Sequence, residues 1–476
     1  MPKNKFIDMT KDDVAPVFSY LKNNRWIFFV LLIYLGASVI KCNPMILLWD
    51  AADYILMGKY IFSLGNVGLW VSYRGPAWPC ALGFLWKMGL DPIEAGRMFG
   101  VALGAGSLFL LYLAGKEFFG KKTAACAAFF LGFSPLFFVW GKMLFADIPA
   151  VFFSLLALVL YLKNRQFWAG LAASLAFLTR FDQGLLFGLF VTASFLGVFR
   201  KNEAKNIGAL AAGFVLLLIP FFLCNYFFVF DILAPFKAGI PFFYTPLEGY
   251  NCGKFFYVDF FLKNEIFWVL FIPAGIYAMI KEKNKRQLFF GAIGGLFFLF
   301  YEIFPISQER YMIEVLPMFY LVASYGLKRV YLEFKNPTSK KILIFLVCVA
   351  GFANLLKAVF FQFPPPELSS FQAYALSAKG PLKGEVWITN PAYGVYGNFK
   401  IDKVINEPDA LKDLKKEIKN AGLVFINVSE FFWKCHDDGA EKKVSDFLNA
   451  LQNELHVEFL ENNAAGGVRG AIFRRL

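Results

Sequence analysis

The sequence predicts a polytopic α-helical membrane protein with a small carboxy-terminal extracytoplasmic α/β domain. Three observations predict it. The 476 residues are 58% hydrophobic and 17% charged, with a mean hydropathy of +0.53, whereas soluble domains are about 25% charged and 45–50% apolar. Apolar runs close to the roughly 17–25 residues that cross a bilayer recur from Trp26 to about residue 361. From Phe363 onward the composition turns polar and the pattern alternates like strands.

In chain order, spans are predicted near 26–42, 95–115, 123–141, 148–162, 167–180, 183–199, 207–230, 266–280, 288–304, 312–327 and 342–361. The amino-terminal 25 residues are too long and mixed for a signal n-region, so 26–42 is expected as a retained first helix. Residues 76–90, GPAWPCALGFLWKMG, are short and proline-interrupted, and are predicted as re-entrant or interfacial.

The net charge of +13 suggests a nucleic-acid footprint until its distribution is read. Basic residues collect in the amino-terminal tail (Lys3, Lys5, Lys11, Lys22, Arg25) and in short loops. Those loops hold Lys116, Lys121 and Lys122; Lys163 and Arg165; Arg200, Lys201 and Lys205; Lys281, Lys283, Lys285 and Arg286; and Lys328, Arg329, Lys335, Lys340 and Lys341. This is the positive-inside bias, and it predicts a cytoplasmic amino terminus, eleven crossings and an outer carboxy-terminal domain. No nucleic-acid partner is expected. The seven cysteines form no CxxC pair and imply neither a disulfide framework nor a zinc motif.

After the linker PPPELSS, EVWIT, LVFINV and HVEFL are predicted strands, and DALKDLKKEIKNAG a helix stopped by Gly422. His436 and His456 lack ligand spacing.

The predicted outer side gathers ionisable residues: Asp50, Asp53, Lys59 and Arg74 in the first outer loop, then Arg97, Lys142, Asp147, Arg180, Asp182 and Glu309-Arg310-Tyr311. Charges at a membrane are costly, about 2.5–3.5 kcal/mol each on insertion scales, so several on one side point to a shared polar cavity. Carboxylates there can serve as general base or metal ligand, and Arg or Lys can clamp a phosphate. Each residue also has a structural reading. Asp50 can be a helix N-cap and Asp147 a helix start before Ile148-Pro149. Arg97, Lys142, Arg180 and Arg310 can anchor at headgroups, and Asp53 and Lys59 are expected at the surface.

The order of these elements resembles the C superfamily (GT-C) of membrane glycosyltransferases, near the dolichyl-phosphate-mannose protein mannosyltransferases and the lipid A aminoarabinose transferases. The family's D-E-x-x-Y reads here Asp50-Ala51-Ala52-Asp53-Tyr54. Its Pro-rich re-entrant stretch resembles RGPAWPCALGFLWKMG, and its Gly-to-Arg run resembles Gly89 to Arg97 followed by KEFFGKK. ADIPAVFFSLLALVLYL supplies the D-x-P element with Asp147, residues 170–180 the GLAxLTR element, and Arg310-Tyr311 through Pro317 the last. Two departures stand out: Ala51 replaces the Glu of the acidic pair, and no WWD-type triplet of the oligosaccharyltransferases occurs in the tail.

The resemblance implies a GT-C module over 1–362, with its catalytic motif in the first outer loop at 43–94, and an outer α/β domain over 363–476. It implies inverting transfer of a monosaccharide from a polyprenyl-phosphate donor to a hydroxyl of a protein, lipid or glycan at the outer face of the cytoplasmic membrane. Asp50 is then the general base. Arg310, Arg97, Arg180 and Lys142 are candidates for the donor phosphate, and Asp53, Tyr54, Arg74 and Tyr311 for lining the substrate site. Asp147 orients the acceptor or sugar, or holds a divalent cation, magnesium or manganese. A transporter or flippase of a lipid-linked sugar, or a non-catalytic membrane scaffold, is the alternative. The flippase predicts polar residues on both sides of a midplane site, and here they lie on one side.

Overall fold

The computed structural model describes residues 24–40, 47–200, 203–239, 253–360, 374–375, 383–405, 410–432, 440–462 and 468–475. Lys3, Lys5, Lys11, Lys22 and Lys201, the linker PPPELSS, His436, Cys42, Cys252 and Cys435 lie outside the described residues.

Each predicted span overlaps helical backbone. The membrane part comprises α1 (Arg25–Ile40), α2 (Trp49–Phe62), α3 (Ala77–Lys87), α4 (Pro92–Phe119), α5 (Lys121–Phe133), α6 (Pro135–Trp140), α7 (Asp147–Leu162) and α8 (Gln166–Thr179). It continues with α9 (Gly184–Phe195), α10 (Ile207–Val229), α11 (Phe256–Asn264), α12 (Ile266–Val269), α13 (Ile272–Lys281), α14 (Lys285–Ile303), α15 (Met312–Glu333) and α16 (Pro337–Phe360). Among the described residues four helices, Pro92–Phe119, Ala204–Val229, Lys285–Ile303 and Pro337–Phe360, are long and apolar enough to cross a membrane by length and composition.

Local chemistry explains where the helices start and stop. Asp91 accepts a hydrogen bond from the Ile93 backbone N–H at 2.9 Å, and Pro92 occupies the first helical position, so α4 begins there. Gly120, at φ 92°, divides α4 from α5. The predicted span at 123–141 is two helices, because Ser134 is extended and Pro135 opens α6. The span at 266–280 is also broken: Phe256–Asn264 and Ile266–Lys281 meet at 101°. Residues 76–90 form the 11-residue α3, packed against α2. Gly58 and Gly83 allow that approach, since a Cβ on Gly58 would lie 2.3 Å from the Pro79 carbonyl oxygen.

The carboxy-terminal domain is a five-stranded sheet in the order β2-β1-β3-β5-β4, with β1 (Glu385–Ile388), β2 (Lys403–Val404), β3 (Ala421–Asn427), β4 (His456–Asn462) and β5 (Val468–Arg474). β2, β1 and β3 run parallel, whereas β5 is antiparallel to both its neighbours. Strand alternation sorts its side chains. Val386, Ile388, Leu423, Phe425 and Ile472 join one continuous core with the membrane helices. Trp387, Val424, Ile426 and Phe473 pack beneath α17 (Leu411–Glu417) and α18 (Ala440–Glu454). Gly422 does not stop a helix. The helix ends in a 3₁₀ turn at Ile418–Asn420 and Gly422 lies inside β3, where a Cβ would meet the Lys383 carbonyl oxygen at 2.1 Å.

Candidate active site

The first turn of α2 carries Asp50 and, three residues on, Asp53. That spacing places both on one helix face, and both meet Arg74 from the loop that leads into α3. Arg74 forms an ion pair with Asp50 and donates to Asp53 at 3.2 Å and to the Tyr54 hydroxyl at 3.5 Å. Arg310 completes this half of the site, its guanidinium 2.5 Å from the other Asp50 oxygen. Asp50 is therefore not the N-cap of α2, which is Leu48; its side chain bridges two arginines instead.

Asp53 and Lys59 are not surface residues. They are only 2% and 4% exposed, because α3 and the carboxy-terminal domain cover the helix that carries them. The Tyr73 hydroxyl donates to Asp53 at 3.5 Å.

The two carboxyls differ in proton affinity. Burial pushes Asp50 upward, but the guanidiniums of Arg74 and Arg310 outweigh it and hold the carboxyl well below the usual carboxylate range. Asp53, more deeply buried, is raised to about 7, chiefly by burial; Arg74 opposes the rise and the neighbouring Asp50 adds to it. Folding is thus linked to pH through Asp53. A raised carboxyl contributes stability that is fully present below its unfolded value near 4 and is lost as pH rises through about 7. Thermal unfolding between pH 5 and 8.5 is expected to show this loss in the wild type, with a flatter profile in Asp53→Asn. Identical profiles would refute the assignment.

The second half of the site centres on Arg180, in the extended residue between α8 and the 3₁₀ turn Phe181–Gln183. Its guanidinium pairs with Asp147, with Asp182 at 2.6 Å and with Glu314 at 2.6 Å. Tyr301 donates to Asp182 at 2.8 Å and to Glu314 at 2.5 Å, and the Gln183 amide donates to Glu314. Asp147 makes no side-chain cap although it opens α7.

Tyr311 joins the halves. The Arg180 guanidinium lies 4.9 Å from its ring centre and that of Arg310 lies 5.6 Å away. Tyr311 also stacks on Tyr301, with ring centres 5.2 Å apart. Arg310 is further fixed by Gln308 at 2.5 Å and by the Phe145 ring at 4.6 Å.

The structure thus brings together Asp50, Asp53, Tyr54, Arg74, Arg310 and Tyr311, with Asp147 and Arg180 adjoining. The other two candidates are engaged differently. Arg97 pairs with Glu94 one turn back on α4, at 2.9 Å. The Lys142 ammonium sits 4.0 Å over the Phe138 ring. Glu314, Gln183, Tyr301 and Tyr73 did not emerge as site candidates from the sequence. Glu314 carried a signal nonetheless, being a carboxylate inside the predicted span 312–327.

The carboxylates gather around arginines of the chain itself. Among the described residues no three of His, Cys, Asp and Glu stand together as cation ligands.

Residues 74–224 match the family model of the dolichyl-phosphate-mannose-protein mannosyltransferases. That stretch is less than half of the chain; it includes Arg74, Asp147 and Arg180 but neither Asp50 nor Arg310. No curated protein matches the chain in sequence. Among solved structures, the chain is similar to ArnT from Cupriavidus metallidurans bound to undecaprenyl phosphate, at 14% identity over 94% of this chain and 98% of that one, with a TM-score of 0.64. It is also similar to the Archaeoglobus fulgidus oligosaccharyltransferase in complex with Zn and sulfate, at 13% identity over 94% and 73% of the two chains, TM-score 0.61. The same enzyme tethered to an acceptor peptide containing the NVT sequon gives 12% identity over 95% and 74%, TM-score 0.57. The protein is thus a multi-pass membrane protein with the fold of the GT-C glycosyltransferases, and within 74–224 its sequence resembles their protein mannosyltransferase branch.

Proposed function

We propose that this protein transfers a monosaccharide from a polyprenyl-phosphate donor to a hydroxyl acceptor, with inversion, at the outer face of the cytoplasmic membrane. The observation that carries the reading is Asp50 held between Arg74 and Arg310. A carboxylate able to take a proton sits beside two guanidiniums able to hold a phosphate.

With two arginines on it, Asp50 is a poor base. A donor phosphate that draws Arg310, or Arg74, toward itself returns basicity to the carboxylate only when substrate is present. The acceptor oxygen then attacks the anomeric carbon while its proton passes to Asp50. The bond from that carbon to the phosphate oxygen breaks, and the leaving polyprenyl phosphate keeps the electron pair. Its added charge is stabilised by the arginines, which is where fixed electrostatics contribute most. Asp53 already shares Arg74 and the Tyr73 hydroxyl, which leaves the acceptor's proton to Asp50 in this reading. Asp147 and Arg180 shape the side toward the sugar or acceptor. ArnT in complex with undecaprenyl phosphate supports a lipid-phosphate donor by likeness of fold.

The topology that accompanies this reading has eleven crossings, the amino terminus inside, and residues 363–476 as an outer α/β domain. Gly68 of the first outer loop hydrogen-bonds Phe399 and Ile401 of the tail, which supports a common side for tail and site. The donor lipid, a protein, lipid or glycan acceptor and the bilayer are the partners of this reading.

The test is the purified chain in liposomes with a synthetic labelled polyprenyl-phosphate sugar and a panel of hydroxyl acceptors. Release of polyprenyl phosphate coupled to labelled product is expected. Translocation of the donor across the bilayer without cleavage would replace the enzyme by a flippase.

A further inference from the structure

The last turn of α2 carries Lys59, whose ammonium donates to the carbonyl oxygens of Val395 at 2.6 Å and Gly397 at 3.3 Å, both in the carboxy-terminal domain. It also lies 5.6 Å from the centre of the Trp86 ring on α3. Burial lowers the amine to about 8, against the pull of Asp91, so at neutral pH it remains the charged, three-donor form. A lysine this deeply buried is seldom placed without a partner, and here the partners are backbone oxygens of another part of the chain.

A second link lies beside it. The Gly68 N–H donates to Phe399 at 3.0 Å and the Ile401 N–H to Gly68 at 2.8 Å, while Leu69 donates to Leu56 of α2 at 3.3 Å. Gly68, at φ 92°, has no room for a side chain: a Cβ would lie 2.2 Å from the Leu56 carbonyl oxygen. One strand-like segment is thus clamped between α2 and the tail.

We propose that the carboxy-terminal domain positions the reacting carboxylate, with Lys59 as the positioning residue through which it holds α2. The proposal rests on the sugar-transfer reading of the Asp50 site. Asp50 and Lys59 are nine residues apart on one helix, about 14 Å along its axis. Release of the far end lets the near end shift against Arg74 and Arg310. A displacement of about 1 Å at a reacting group costs about 10²-fold in rate.

The experiment compares Lys59→Met and Lys59→Arg with the wild type, each as the full chain in liposomes. It measures donor kinetics and amide hydrogen exchange over residues 49–62. Lys59→Met is expected to lose about 10²-fold in kcat with KM within about twofold, and to exchange faster over that helix. Lys59→Arg, which keeps donors at that reach, is expected to restore most of both. Wild-type kcat in Lys59→Met, equal loss in both variants, or failure of Lys59→Met to fold would overturn the proposal. Exchange is read without substrate and so separates the two readings. Faster exchange with no transfer by the wild type refutes sugar transfer, whereas an active wild type with unchanged exchange in Lys59→Met refutes the positioning role alone.

Discussion

Asp50→Asn is expected to lower sugar transfer by about 10²–10⁴-fold, the usual worth of a positioned general base. Donor affinity should be kept or increased. The substitution removes the charge shared by Arg74 and Arg310, so Arg310 loses its carboxylate partner while Arg74 keeps Asp53, and the lipid phosphate no longer competes with Asp50 for either. Single-turnover rates and titration with polyprenyl phosphate measure the two effects separately. A wild-type rate would refute Asp50 as base, and a large loss of phosphate affinity would refute the competition between carboxylate and phosphate for the same arginines. Asp53 does not replace it in the variant, because its carboxyl is taken up by Arg74 and the Tyr73 hydroxyl.

Arg180→Met is expected to have the largest effect on stability. Asp147 and Glu314, 1% and 2% exposed, and the less buried Asp182 all depend on this guanidinium. Breaking a buried ion pair from one side costs about 3–5 kcal/mol because it leaves an uncompensated charge, and here three carboxylates lose their shared partner. The measurement is thermal unfolding in detergent, read beside the yield of folded protein. Arg180→Lys is expected to recover part of the loss, since an ammonium keeps the charge without the planar fork. Adding Asp182→Asn to Arg180→Met should also recover part by removing one surplus charge. Unaltered unfolding in Arg180→Met would refute the network as a structural element.

The apolar runs were legible because hydropathy is a property of consecutive residues. The helix ends were less so: the apolar run 123–141 masks the local break signal of Ser134-Pro135, and the bend between Asn264 and Ile266 interrupts another such run. In the tail, β1, β3 and β4 were readable from alternation, but β2 has two residues and β5 follows a Gly-rich stretch that reads as loop. Gly422 misled because glycine after a basic helix suggests a stop, whereas the close approach of Lys383 is what requires it. In the site, Asp50 and Arg74 are near in sequence, but their junction with Arg310 is long-range. The burial of Asp53 and Lys59 was invisible because the covering surfaces come from α3 and from residues more than 300 positions away. Arg97 has the composition of a phosphate ligand, yet its own helix offers Glu94 within one turn.

Arg310 and Tyr311 are consecutive residues of one short 3₁₀ turn, one holding Asp50 and the other lying against Arg180. One short turn carries both residues, so a backbone movement that displaces one of them displaces the other. A shift of that turn at Asp50 would therefore reach the carboxylates around Arg180 through Tyr311. The two halves of the site are thus joined through one backbone turn, and a substitution that distorts Glu309–Tyr311 is expected to disturb both together.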